Sequence, residues 1–159
     1  MIRNVLISAL VLLATTMFGQ RFIDPIFEAI EVHSDVVYGN AMNYQGVSQD
    51  LLLDFYEPVG DVAEKRPLII YAHGGGFTDT NQTKELVHIA AFCDSMARRG
   101  YVVASIDYRL DESISNRSVI NAMHDMKAAV RYFKKEMLTY AIDTSLIFVA
   151  GESAGAVTA

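Results

Sequence analysis

Apolar residues fall into several distinct patterns along this chain. The first is an unbroken, charge-free run over residues 5–19, VLISALVLLATTMFG, preceded by Arg3. The second is alternation. In DLLLDFYEP (50–58) Leu51, Leu53 and Phe55 alternate against Asp54 and Tyr56, the signature of a half-buried strand, and Pro58 ends it. EVHSDVVYG (31–39) is a further strand candidate. The third is the short continuous run, rich in β-branched and aromatic residues: Leu68–Ala72, YVVASIDY (101–108) and LIFVAG (146–151). Such runs predict strands buried on both faces. Helical spacing lies between them. Residues 83–99 predict a helix capped by Thr83, with Arg98 and Arg99 at its carbonyl end and Gly100 closing it. Leu86, Ile89, Cys93 and Met96 share its apolar face. Residues 117–137 place Val119, Met123, Met126, Val130, Phe133 and Met137 at intervals of three and four, so these methionines read as core. Residues 21–30 form a lead-in, and VGDVAEKR (59–66) is a charged loop. From residue 66 the order is strand, helix, strand, helix, strand. That alternation predicts an α/β fold with a mostly parallel sheet and helices on both faces.

Composition narrows the function. The chain has 159 residues, a net charge of −6 and a pI near 5.1. It holds no clustered basic stripe, so nucleic acid is not an expected partner. The apolar run at 5–19 is short for a membrane span, which takes about 20 residues. A basic start, a short apolar core and small residues at its end read as a signal peptide over residues 1–20. The expected location is secreted or periplasmic, with no stable membrane span after cleavage, and residues 21–159 form one domain. Cys93 is the only cysteine, so no internal disulfide forms. Its place on an apolar helix face predicts a buried, inert thiol.

Two motifs carry chemistry, and each follows a buried run. GESAG (151–155) fits G-x-S-x-G with Ser153 at its centre. After a strand this pattern predicts a sharp turn that holds the serine strained and exposed. Side chains two residues either side of it would collide, hence Gly151 and Gly155. The second motif is HGGGF (73–77). Consecutive glycines let backbone N–H groups approach a developing oxyanion, and such donors lower an acyl-transfer barrier. No Lys-Ser/Thr follows the glycines and no G-x-G-x-x-G is present, which discounts a nucleotide site. His33, His73, His88 and His124, taken with Cys93, make no metal-site spacing. No metal or cofactor is implied.

LIIYAHGGGF, YVVASIDYRL and IFVAGESAG, in that order, resemble the α/β-hydrolase fold. The likeness is greatest to the carboxylesterase/lipase group with an H-G-G-G loop, which includes hormone-sensitive-lipase-like and type-B carboxylesterases. It covers about residues 50–159. The resemblance implies a serine esterase acting on a small-molecule ester through an acyl-enzyme. Ser153 matches the nucleophile, and Gly75, Gly76 and Ala154 match the oxyanion donors. His73 matches a loop-shaping histidine that is not the base. Asp107-Tyr108-Arg109 matches a structural segment at a strand end, while LDESISN (110–116) departs from the group's pattern. The triad order in this fold is Ser, then Asp or Glu, then His. The acid and the histidine are therefore expected beyond residue 159, with residues 21–159 as the amino-terminal part of a hydrolase domain whose other half is missing. Two alternatives remain open: a serine peptidase of the prolyl-oligopeptidase type, which more often shows H-G-G-P, and a non-catalytic binding protein of the same fold.

Overall fold

A computed structural model describes residues 20–159. The expected signal peptide lies outside the described residues except for Gln20. Five strands form one sheet in the order β1-β2-β4-β3-β5: β1 (Ile30–Met42), β2 (Ser48–Pro58), β3 (Arg66–Ala72), β4 (Val102–Ile106) and β5 (Ile142–Gly151). The three continuous runs are β3, β4 and β5, and they are mutually parallel where they pair. The two earlier strands form an antiparallel hairpin joined edgewise to β4, so the sheet is mixed. Three helices complete the fold: α1 (Val87–Ala97), α2 (Asn116–Lys135) and the short α3 (Ala154–Thr158).

The strand alternation sorts side chains to opposite faces. Leu53, Phe55, Leu68, Ile70, Val102, Ala104 and Ile106 pack with Ala122, Met126, Ala129 and Phe133 of α2. Tyr56, Ile69, Tyr71 and Val103 face the other way, against Ile89, Cys93 and Ala97 of α1. Helices therefore cover both faces, as the alternation predicts. Cys93 is fully buried, and burial pushes its thiol up to about 12.

Four local expectations change. α1 starts at Val87 behind Leu86, whose side chain makes no cap; Thr83 instead accepts the Glu85 N–H at 3.3 Å in the turn before the helix. α2 turns the predicted face inward in part, with Met126 and Phe133 buried and Val119 and Val130 packed against the core. Ala122, Asp125, Met126 and Ala129 are buried, while Met123 and Met137 are exposed. The cause is Asp125, drawn in by Arg109 (Nη2–Oδ1 2.7 Å), with alanines allowing close approach of the helix. Asp54, the polar position in the alternation of β2, is buried because Lys84 Nζ reaches it at 2.9 Å. β5 is an edge strand among the described residues, and Leu146, Phe148 and Val149 are exposed on it. No helix of the described residues is long and apolar enough to cross a membrane.

Candidate active site

β5 ends at Gly151 and α3 begins at Ala154, leaving two residues to reverse the chain. Ser153 takes φ 50°, ψ −116°, a conformation that costs a non-glycine residue of order 1–3 kcal/mol. The flanking glycines make the turn possible. A β-carbon on Gly155 would lie 2.0 Å from the Ala72 carbonyl oxygen, and one on Gly151 would lie 2.5 Å from the Gly155 carbonyl carbon. The carbonyl of Ser153 accepts N–H groups of Ala156 and Val157, which starts α3 beneath it. Ser153 is exposed and Ala154 is buried.

The glycine loop follows β3, the strand hydrogen-bonded to β5, so the sheet brings the two motifs together. A β-carbon on Gly74 would lie 3.5 Å from Ser153 Cβ. Gly75 and Gly76 sit at φ 100° and 60°, in the left-handed region that favours glycine. Among the described residues, the N–H groups of Gly75, Gly76 and Ala154 make no hydrogen bond. All four residues singled out in the sequence thus stand at one end of the sheet.

Below the loop lies a buried polar network. His73 Nδ1 donates to the Gly74 carbonyl at 2.7 Å, since that oxygen carries no hydrogen. Its Nε2 faces Asp107 Oδ1 at 3.5 Å. Burial lowers the proton affinity of His73 and raises that of Asp107, while the Lys84 N–H and the nearby Lys84 charge pull Asp107 the other way. The Tyr108 ring stacks on His73 with centroids 4.4 Å apart, and its hydroxyl lies 2.9 Å from both the His73 and Gly74 carbonyls. A cavity of about 270 Å³ adjoins this network, lined by His73, Asp107, Tyr108, Gln82 and Thr83 among others. The segment leading into α1 is pinned by Lys84, whose buried ammonium contacts Asp35, Asp54 and Glu85, each at 2.9 Å. Burial alone would lower its proton affinity, but these carboxylates outweigh burial and raise it. Nothing in the local sequence marks Lys84; its three partners come from two strands and one neighbour. Arg109 clamps Asp125 and also donates to the Met42 carbonyl at 2.9 Å, tying the end of β4 to α2 and to the end of β1.

The remaining histidines are occupied elsewhere or exposed. His88 Nε2 meets Glu152 Oε1 at 2.8 Å, tying the first turn of α1 to the residue before Ser153. His124 is exposed on α2. His33 meets Glu57 at 3.0 Å, and the fold gathers Glu31, His33 and Glu57 with ligand atoms within 4.8 Å of one another, a grouping that spacing did not reveal. Arg66 already holds the second oxygen of Glu57 at 2.8 Å, which supplies the positive charge these carboxylates would ask of a cation.

The family model described as BD-FAE matches residues 53–159, from β2 through both motifs to the last residue. The chain belongs to the BD-FAE family. This BD-FAE chain is also similar to the neuroligin-like protein glit-1 of Caenorhabditis elegans, 28% identical over 95 residues, covering 57% of the chain and 12% of that protein. Among solved structures it resembles esterase 2 of Thermogutta terrifontis in its propionate-bound form. The two share 28% identity with a TM-score of 0.62, over 80% of this chain and 43% of the esterase. A likeness to brefeldin A esterase, a bacterial homologue of human hormone-sensitive lipase, has 24% identity and a TM-score of 0.60 over 79% and 32% of the two chains. It bears on the fold alone, which is that of the α/β-hydrolases. The chain spans less than half the length of each of these relatives.

Proposed function

We propose that this chain carries the nucleophile half of a serine carboxylic-ester hydrolase. The reading rests on one observation: Ser153, strained and exposed at the turn after β5, stands beside a glycine loop with unpaired N–H groups. Ser153 Oγ attacks the ester carbonyl carbon as its proton passes to a histidine. The former carbonyl oxygen takes the negative charge and is held by the N–H groups of Gly75, Gly76 and Ala154. Collapse expels the alcohol, which takes the proton, and leaves an acyl-enzyme. Water then repeats the sequence and releases the acid.

The histidine and its acidic partner are proposed to come from sequence beyond residue 159. A serine without a base is a weak nucleophile at neutral pH. None of His33, His73, His88 and His124 hydrogen-bonds to Ser153 among the described residues. The acyl group is proposed to be short. Thermogutta esterase 2 is known with propionate and with butyrate bound, and phosphorylated by paraoxon.

In the full-length protein, Ser153→Ala is expected to lower hydrolysis of a short-chain aryl ester at least about a thousandfold with the fold intact. Paraoxon should phosphorylate the parent at the Ser153 peptide, read by mass spectrometry. Hydrolysis at the parent rate by the variant would overturn the assignment. A parent with neither turnover nor labelling would favour the binding-protein reading, which the neuroligin-like relative motivates. Cleavage of prolyl peptides in preference to esters would favour the peptidase.

Export is proposed from Arg3 and the apolar run 5–19. In a secreting host the mature protein should begin near residue 20 or 21. Amino-terminal sequencing that finds Met1 on exported material would refute it.

A further inference from the structure

The three glycines of the loop create a difficulty that the surrounding structure must resolve. Glycine reaches φ 100° and 60° at positions 75 and 76 without a steric penalty, but it also has the most backbone freedom to lose. Oxyanion stabilisation depends on donors already aimed before the charge develops. Some group outside the loop has to hold its peptide planes.

We propose that Tyr108 is that group: a positioning residue whose hydroxyl, sharing its one hydrogen between the His73 and Gly74 carbonyls, fixes the peptide plane that carries the Gly75 N–H, an oxyanion donor of the proposed mechanism. The peptide bond is planar and trans, so each carbonyl points opposite to the N–H that follows it. The Tyr108 hydroxyl lies 2.9 Å from both carbonyl oxygens. Two successive peptides therefore turn their oxygens toward one hydroxyl, and their N–H groups face away from it. Ser153 adjoins the loop at Gly74, with its Cβ 3.5 Å from where a Gly74 side chain would begin. Tyr108 is itself rigid. It is 2% exposed, stacks on His73 at an interplanar angle of 15°, and lies between Asp107, which accepts the Lys84 N–H, and Arg109, which is clamped to Asp125. Burial keeps its hydroxyl protonated, so it remains a donor. His73 Nδ1 holds the Gly74 carbonyl as well, but among the described residues only the Tyr108 side chain hydrogen-bonds to both carbonyls.

This inference rests on Ser153 being the nucleophile, and the experiment separates the two. In the full-length protein, Tyr108→Phe keeps the stacked ring and removes the hydroxyl. On a short-chain aryl ester, kcat should fall roughly 10- to 100-fold, less than the loss of a direct donor, while KM changes less than about twofold. Affinity for an alkylboronic acid, which forms a tetrahedral adduct on a serine, should fall in parallel with kcat. Affinity for the product carboxylic acid should hold. An unchanged kcat in a parent that Ser153→Ala inactivates would overturn the role of Tyr108 alone. Equal weakening of the boronic acid and the product would also overturn it, by showing a general loss of structure. A parent indifferent to Ser153→Ala would fail the nucleophile reading instead. If Tyr108→Phe does not fold, 4-aminophenylalanine and 4-fluorophenylalanine at position 108 replace it. Both fill the hydroxyl's space, and only the first donates. The proposal requires the first to retain kcat and the second to lose it; equal rates would overturn it.

Discussion

A β-carbon on Gly155 would overlap the backbone of Ala72 and His73, at 2.0 Å and 2.6 Å from their oxygens, and neither strand end can yield. Gly74 is different: its nearest would-be neighbours stand at 3.5 Å, an ordinary contact. The two glycines should therefore respond differently to alanine. Gly155→Ala is expected to cost at least about 3 kcal/mol, at the upper end of overpacking. Gly74→Ala should cost less than about 1.5 kcal/mol, with its methyl instead crowding the space beside Ser153. Urea unfolding of the full-length variants checks the order, and equal losses would show that the turn relaxes around a side chain. Steric need for glycine is greatest at the elbow; Gly76 is required by its dihedral angle, and Gly75 both by its dihedral angle and by Gln82, whose Cβ would lie 2.8 Å from an added β-carbon.

At the scale of elements, α2 shows what sets a helix in place. Its start is conventional: the Ser115 side chain accepts the Ser118 N–H at 3.2 Å, and Ser118 returns the bond to the Ser115 N–H at 2.9 Å. A cap of this kind contributes about 1 kcal/mol. Its middle is held by Asp125, which is 2% exposed and accepts the backbone and guanidinium N–H groups of Arg109. Removing one partner of a buried ion pair costs about 3–5 kcal/mol, because a charge is left alone. Asp125→Ala should therefore destabilise the full-length protein several-fold more than Ser115→Ala in denaturant titrations. The reverse order would mean that α2 is anchored by its end. The clamp also explains why α2 presents Ala122 and Ala129 inward in place of Met123.

At the scale of the molecule, the two motifs meet because β3 and β5 are neighbours although α1, β4 and α2 separate them in the chain. The same topology leaves β5 at the edge, with Phe148 51% and Leu146 43% exposed. An open edge beside apolar side chains invites pairing with another chain. A polypeptide of residues 21–159 made alone is expected to self-associate and to hydrolyse a short aryl ester no faster than its Ser153→Ala form. Sedimentation and a thermal melt test the first part, and Phe148→Lys should reduce the association. A soluble monomer with a sharp melt and Ser153-dependent turnover would contradict the proposal that the base lies beyond residue 159.

Much of this arrangement was legible in one dimension, because some constraints are local. Continuous β-branched runs need cover on both faces, and they marked β3, β4 and β5. Turn sterics act over five residues, so GESAG announced the need for Gly151 and Gly155. HGGGF announced a backbone able to bring its N–H groups close to a developing oxyanion, and the structure added the positive φ of Gly75 and Gly76. Other features depend on groups distant in sequence, and only the packed chain decided them. Asp54 looked solvent-facing until Lys84, Asp35 and Asp54 met under α1. The spacing placed Met126 and Phe133 inward correctly, but the burial of Asp125 beside them, with Met123 exposed, depends on Arg109 and could not be read from it. The hairpin pattern of β1 and β2 gave no strand direction, since alternation is the same in parallel and antiparallel pairs. Tyr108 was visible only as part of a strand-end segment, and its two carbonyl contacts exist because β4 runs beside β3. Periodicity reports which side of an element is covered; which partner covers it is settled by tertiary contacts.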